Sequence, residues 1–547
     1  MSETVVQAVA GVLAGAGTCD VFGLVGSGNL LLANALVKSG AAFHHVRHES
    51  AAVSAADGYA RSSGRLGVAT VHQGPGLTNT ATALTEAAKS RTPLVLLAAD
   101  TPATALHSNF RIDAEGFVRS TGAVADRVHG GDSAAADAVR AVETARIRRT
   151  PVVLLLPTDV QQQPTTADRP APAEPPATPA PAAETVGAAA DLLAASRRPV
   201  IIAGRGAVLA DAAHPLRSLG QQVGAVLATS AVAKGLFAGD PYDVGISGGF
   251  ASPLAAELLH RADAVLAVGA SLNMWTTRHG ELLSEAAVVQ VDLDSDVLGR
   301  HRRVDVGIVG DAARTAWALE QELARRDVRR TGWRSNDLAR RIAEHRWRDE
   351  PYDDLSTISR VDPRTLSIAL DEMLPAERVV ATDSGHFMGF PAMYLSVPDP
   401  RAFVFTQAYQ SVGLGLSSAL GAAVAHPDRL TVAALGDGGA LMSLPEFETA
   451  ARLGPPLLAV VYNDAAYGAE VHHFAPMGEP VDLARFPDTD FAALARAAGG
   501  AGCTVRTRAD LAALVPWLDQ PRGLYVVDAK VTADFAAAWL EEAFRPH

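Results

Sequence analysis

Short runs of Val, Leu, Ile and Ala punctuate the chain, and longer Ala-rich stretches with helical spacing of their apolar positions lie between them. Near the N-terminus the runs are DVFGLV, AAFHHV, LGVATV, PLVLLAA and PVVLLLP, with ESAAVSAADGYARSSG as the clearest intervening helix. Further on come RPVIIAGRGA, ADAVLAVGA and AVVQVDLD, and then ERVVATD, LTVAALGDGG, PLLAVVYND and GLYVVDAK. Continuous apolar runs of this length suit strands buried on both faces. Their alternation with helices predicts α/β architecture with doubly wound parallel sheets.

The pattern breaks twice. Residues 163–183 carry too much proline for a helix or a central strand and read as a semi-rigid linker. Charge clusters in RRDVRRTGWRSNDLARR, which marks a second break. The expected organisation is therefore three α/β domains in series, at 1–162, 184–330 and 361–547, joined by linkers at 163–183 and 331–360. A chain of 547 residues is long enough for about three cores of ~150 residues each.

A formal net charge of −13 argues against nucleic acid or an anionic membrane surface as a general partner and leaves small molecules as the expected ligands. Cys19 and Cys503 are too few for a disulfide framework or a zinc site, which fits a reducing compartment. The segment MSETVVQAVAGVLAGAG has an acid where a secretory signal carries Lys or Arg, and no apolar run is long enough to span a bilayer. A cytoplasmic protein is expected.

The chemistry begins at LTVAALGDGGALMS, where Asp437 stands in a glycine loop after an apolar strand. Such a loop cradles phosphate with backbone N–H groups, and a carboxylate there repels the anion unless a cation stands between them. The dinucleotide pattern G-x-G-x-x-G and the P-loop Gly-Lys-Ser/Thr are both absent from it. Asn463 ends the next strand, 26 positions further on. Adjacent parallel strands place the two side chains at one sheet edge. A carboxylate, an amide oxygen and a backbone carbonyl there make part of the oxygen octahedron that Mg²⁺ prefers, completed by phosphate oxygens and water.

With Gly-Asp-Gly followed at this spacing by Asn, the chain resembles the thiamine-diphosphate-dependent enzymes of the acetolactate synthase and benzoylformate decarboxylase group. The resemblance covers nearly the whole chain and implies pyrimidine-binding, central and diphosphate-binding domains in that order. It implies that Asp437, Asn463 and the carbonyl of Ala465 ligate Mg²⁺, and that Gly438 and Gly439 meet the diphosphate of thiamine diphosphate. VRHESAAVSAADGYARSSG resembles the family segment whose glutamate, here Glu49, hydrogen-bonds the aminopyrimidine ring. A carboxylate that shares a proton with a ring nitrogen favours the imino tautomer that activates the thiazolium. AYQSVGLGLSSALGAA resembles the segment in which the carbonyl of Gln410 accepts from the aminopyrimidine and Val412 props the bent cofactor. Val412 is smaller than the usual Met or Leu. The segment containing SGHFM is expected to face the active centre.

The branches of the group differ at the substrate side. His72 in HQGPGLTN and Ser27 in VGSGN match the proton-transfer and substrate-binding positions of benzoylformate decarboxylase, and acetolactate synthases typically have neither. A histidine at that position titrates near neutrality and is suited to protonate the carbon left by decarboxylation. Two departures from the pattern stand out. Arg111 lies near the position where acetolactate synthases carry a Gln. GASLNMWTTRHG lacks the Arg of flavin-binding relatives, which weighs against FAD. It also holds Thr276 where benzoylformate decarboxylase has a second catalytic His, with His279 three residues on.

These motifs together imply decarboxylation of a 2-oxo acid with carboligation of the product, as in acetolactate synthase, by a homodimer or homotetramer that shares active sites between chains. The alternatives are a non-ligating decarboxylase or aldehyde lyase, a 2-hydroxyacyl-CoA lyase, and, from another class, a non-catalytic cofactor-binding partner subunit.

Overall fold

The computed structural model describes residues 3–165, 172–173, 176–326, 328 and 332–545. Part of the proline-rich stretch at 163–183 and the first residue of the second expected linker lie outside the described residues. Three six-stranded sheets, parallel throughout, follow one another along the chain. Apolar clusters cover both faces of the first sheet and both faces of the second, as a doubly wound layer requires.

The first sheet is built from Asp20–Gly23, Ala42–His45, Gly67–Val71, Leu94–Asp100, Val124–Arg127 and Pro151–Pro157. Numbered in chain order, they lie across the sheet as 2-1-3-4-6-5. The third sheet uses Arg378–Thr382, Phe403–Phe405, Leu430–Gly436, Leu457–Asn463, Ala501–Val505 and Leu524–Lys530, in the same order. The middle sheet uses Pro199–Ala203, Val226–Thr229, Asp243–Ile246, Ala264–Val268, Ala287–Asp292 and Val306–Val309, in the order 3-2-1-4-5-6. Each sheet thus reverses strand order beside its first strand. Ligands collect in the crevice at the carboxyl ends of the strands flanking such a reversal.

All the strands expected from the sequence form, with ends shifted by up to four residues. In the six-stranded sheets the strands not expected are Val124–Arg127, Phe403–Phe405, Ala501–Val505, Asp243–Ile246, Val306–Val309 and Val226–Thr229, and outside them the short pair Glu3–Thr4 and Pro164–Thr165, the latter in the stretch read as a linker, is not expected either. Within the six-stranded sheets all of these but Val226–Thr229 are sheet edges, and most are half-exposed, so they lack the continuous apolar run of a central strand. Helix Asn336–Glu344, within the segment read as the second linker, turns Leu338 and Ile342 onto one face of the middle sheet. Among the described residues no helix is long and apolar enough to cross a membrane.

The first and third domains are joined by two helices made of small residues. Glu49–Ser63 starts at His48, whose ring nitrogen accepts from the Ser50 N–H, and stops at left-handed Gly64. It packs against Gly415–Ala425 so closely that a Cβ on Gly58 would sit 2.1 Å from the Ser418 carbonyl oxygen. A Cβ on Gly421 would sit 1.8 Å from that of Ala55. Only glycine permits this backbone-to-backbone approach.

Gly421→Ala should therefore lower stability by about 1–3 kcal/mol in urea unfolding, because overpacking outweighs the gain of about 1 kcal/mol in helix propensity. Gly187→Ala, in helix Ala183–Ala195 with only the tip of Arg326 within 4 Å, should be neutral or stabilising. Equal effects at the two sites would show that the close approach is not what Gly421 is for.

Candidate active site

Two half-sites lie at the strand-order reversals of the outer sheets. In the first domain Ser27 follows strand one, Glu49 opens the helix after strand two, and His72 follows strand three. The loop carrying Ser27 closes directly onto His72. The Gly28 N–H donates to His72 Nδ1 (3.0 Å), and a Cβ on Gly28 would lie 2.7 Å from that nitrogen. Asn29 fixes the loop by accepting from the Gly26 N–H (2.8 Å) and donating to the Leu24 carbonyl and the Thr70 hydroxyl (3.2 Å each). With Nδ1 accepting, neutral His72 carries its proton on Nε2. Burial lowers the His72 pKa, and the nearby Glu49 carboxylate opposes that shift.

Glu49 is held by Asn79, whose amide donates to Oε2 (2.9 Å), and its Oε1 faces Gly76. Glu49, His72 and the Ser27 loop therefore form one cluster, with Ser27 exposed at its rim. Phe110 stands edge-on to the His72 ring at 5.1 Å. Its neighbour Arg111 reaches only the carbonyl of Ala103 (3.4 Å).

In the third domain Asp437 caps strand three and Asn463 ends strand four. Both are almost completely buried. Asp437 accepts from the N–H groups of Gly438 (2.8 Å) and Ala465 (2.6 Å). Asn463 donates its amide to Asp528 (2.9 Å) and to the Thr489 carbonyl (3.1 Å), which turns its oxygen back toward Ala465 and Asp437. Burial, followed by the Asp464 charge, pushes the Asp437 pKa well above the ordinary carboxylate range. Gln410 and Ala465 both have positive φ, 56° and 60°, an uncommon conformation for residues other than glycine and one that clusters at ligand sites.

Asp383, after strand one of the same sheet, is fully buried and accepts from the Gly413 N–H with both oxygens (3.1 and 2.9 Å). Burial pushes its pKa up to about 6. Gly439 lies directly against this carboxylate with Val412 beside it: a Cβ there would meet Asp383 Oδ2 at 2.3 Å and Val412 at 3.2 Å. Beside Gln410 opens a cavity of about 590 Å³ that reaches the carboxyl ends of the middle strands at Arg205, Ser230 and Asp292. Trp539, Gln407 and Ser230 are among its lining residues, and Trp539 Nε1, both polar atoms of the Gln407 amide and the Ser230 hydroxyl are buried without a hydrogen-bond partner among the described residues.

Sequence comparison matches this frame domain by domain. Residues 3–113 match the thiamine pyrophosphate enzyme N-terminal TPP binding domain, 186–319 the central domain and 383–529 the C-terminal TPP binding domain. The chain belongs to this family. It is similar to a sulfoacetaldehyde acetyltransferase of Castellaniella defragrans, 29% identical over 89% of this chain and 86% of the relative. A probable 2-ketoarginine decarboxylase of Pseudomonas aeruginosa is 32% identical over 92% and 89% of the two chains. An acetolactate synthase large subunit of Parasynechococcus marenigrum is 30% identical over 77% and 69%.

A thiamine pyrophosphate enzyme needs a diphosphate site with a hard cation, and the donor set here fits one. One carboxylate and an amide oxygen locked by Asp528 meet beside a buried glycine turn, tied together by the N–H of left-handed Ala465 (2.6 and 3.2 Å), whose carbonyl is a third oxygen next to them. The described residues contain no cluster of three or more His, Cys, Asp or Glu suited to a metal, so a site built mainly from protein carboxylates or imidazoles is not on offer among them.

The segment SGHFM, expected to face the active centre, contains His386, and Asp383 stands directly before it without having been singled out. The His386 ring accepts from the Ala537 N–H (2.9 Å) and lies 4.4 Å from the His472 ring. Burial, then His472, pushes it down to about 3, so it is neutral. Asp383 had a signal, since it ends a strand at the reversal of its sheet, as the other candidates do. His279 contacts the carbonyl of Glu542 (2.9 Å) in helix Ala538–Phe544, and Thr276 donates to Asn273 (3.1 Å) within its own turn.

The raised Asp437 pKa has a consequence without any ligand. A carboxyl whose folded-state pKa lies above its ordinary value near 3.8 contributes stability that is present in acid and lost as pH rises through the folded value. Metal-free protein should therefore lose stability between about pH 4 and neutrality, and Asp437→Asn should remove about 1–3 kcal/mol of that loss. Urea unfolding in chelator at pH 5 and pH 7.5 checks this, and parallel pH profiles would contradict it.

Proposed function

We propose that this thiamine diphosphate enzyme decarboxylates a 2-oxo acid and joins the resulting two-electron donor to an acceptor carbonyl. The observation that carries the reading is the Glu49–His72 cluster at the reversal of the first sheet, set in a chain whose third sheet presents Asp437 and Asn463 at the matching edges. Support for an acceptor comes from the room in the cavity beside Gln410, lined by Ser230, Gln407 and Trp539 among others. Proton quenching needs no such room.

Asp437, Asn463 and the Ala465 carbonyl are assigned to Mg²⁺, and Gly438 and Gly439 to the diphosphate. Gln410 presents its carbonyl, and Val412 its side chain, to the cofactor's ring system. Once bound, thiamine diphosphate would supply nucleophilic carbon chemistry toward the 2-oxo carbonyl and an electron sink for loss of CO₂. Glu49 holds a proton at the aminopyrimidine side, with Asn79 fixing its second oxygen. His72 presents Nε2–H toward the reacting carbon, and Ser27 at the rim meets the substrate carboxylate. A non-ligating decarboxylase is the second reading, favoured by His72 in its proton-donating tautomer. Product analysis with pyruvate and with benzoylformate, each with and without aldehyde, separates the two.

Glu49 and Asp437 are assigned to sites shared between two copies of the chain. Within one chain Glu49 is bound by its own domain, and Leu441, Met442 and Tyr467 beside the Asp437 turn remain exposed. Inactive Glu49→Gln and Asp437→Ala chains, mixed under conditions of proven subunit exchange, should recover partial activity through one intact site per hybrid dimer. Absence of recovery would rule the shared site out.

His72→Ala should slow aldehyde release by roughly 10²–10⁴, the usual loss for a general acid, and should slow ligation less because the acceptor captures the same carbon without that proton. The ratio of ligated product to free aldehyde should rise. An unchanged ratio with kcat intact and KM raised would make His72 a pocket wall.

A further inference from the structure

The backbone from Phe405 to Gly415, which carries left-handed Gln410 and Val412, is gripped at both ends by buried carboxylates from different domains. Asp383 takes the far end through the Gly413 N–H. The near end is taken from the first domain. Glu86 Oε2 accepts from the Tyr409 N–H (2.6 Å), and Oε1 from the Ala408 N–H (3.3 Å). Arg61 completes the grip by donating to the Phe405 carbonyl (3.0 Å) and to Glu86 Oε1 (2.9 Å).

Glu86 is 1% exposed, on a helix face otherwise made of Ala83, Leu84 and Ala87. Nothing in that helix needs a carboxylate. The charge is balanced by Arg61, itself paired to Asp57 (2.6 Å), and the Ser90 hydroxyl donates to Oε1 as well (3.1 Å). With Arg61 beside it, the Glu86 pKa stays below the usual range despite burial, which opposes that shift more than any other single influence. A buried, ionised, fully engaged carboxylate is a rigid support for the two N–H groups that immediately precede Gln410.

We infer that Glu86 is a positioning residue for the cofactor, setting through the Ala408 and Tyr409 N–H groups the direction in which the Gln410 carbonyl and the Val412 side chain face the site. The inference rests on the proposed function only in assigning those two residues to the cofactor. It makes the first domain contribute twice to catalysis, with Glu49 in one site and Glu86 behind the wall of another.

The test compares Glu86→Gln with Asp57→Asn in the full chain with Mg²⁺. Both disturb the same buried pair. Glutamine keeps the volume of Glu86, yet its amide cannot accept from both Arg61 and Tyr409, so one contact fails in either orientation. Asp57 touches Arg61 and not the 408–409 backbone. Glu86→Gln should weaken thiamine diphosphate binding by roughly ten- to hundredfold, the range for losing a hydrogen bond to a charged group. It should also alter the near-UV circular dichroism of the bound cofactor.

Asp57→Asn should lower the unfolding midpoint comparably while leaving cofactor affinity within about twofold, since it keeps the Glu86 contact. Equal losses of affinity in the two variants, or wild-type affinity in Glu86→Gln, would overturn the assignment. Amide exchange in the wild-type protein supplies an arm that needs no variant. The Tyr409 amide, on an exposed residue, should exchange far more slowly than an unbonded surface amide, and free exchange there would also overturn it. Wild-type protein that bound no thiamine diphosphate would instead count against the proposed function, with the exchange arm still deciding the clamp.

Discussion

The close approach of helices Glu49–Ser63 and Gly415–Ala425 sets the distance on which everything else in this chain depends. At Gly58 and Gly421 the two helices meet backbone to backbone, with no side chain between them. Arg61 lies one turn beyond Gly58 and reaches the Phe405 carbonyl only because of that closeness. The same closeness seats the Glu86 carboxylate under the backbone ahead of Gln410. A methyl group at the helix contact would therefore disturb the loop that carries Gln410 and Val412 without touching it.

Buried carboxylates recur through the molecule, and their surroundings sort them by task. Glu86 has a cation of its own chain and stays ionised. Asp383 has only backbone N–H groups against it, and its pKa rises to about 6. Asp437 has N–H groups on one side and a second acid on the other, so the metal-free site holds it protonated further up the pH scale. The positive charge missing at Asp437 is what the proposed cation supplies. Stability and cofactor loading pull against each other at that residue, as they do at many preorganised sites.

Much of this was legible in the sequence. Central strands announce themselves because burial on both faces demands unbroken apolar runs, and the Gly-Asp-Gly turn with its distant Asn is short enough to read directly. Glu49, His72 and Ser27 come together as their family pattern implies, at the reversal of one sheet. Edge strands such as Ala501–Val505 escaped because half-exposed positions erase the pattern. Glu86 escaped for a different reason. Its signal, an acid on an otherwise apolar helix face, was present in TATALTEAAK, but its meaning depends on a backbone more than three hundred residues away. Sequence spacing conveys contacts within one sheet edge and is silent on contacts between domains.

The cavity beside Gln410 also places two of the six tryptophans, Trp275 and Trp539, in its lining. The Trp539 indole is almost wholly enclosed, packed near Phe250 and His386, with its N–H facing no protein acceptor among the described residues. Indole emission responds to the polarity around the ring and to hydrogen bonding at that N–H. An occupant of the cavity would change the polarity around both rings, so the protein carries an intrinsic optical gauge of its own occupancy and needs no attached dye.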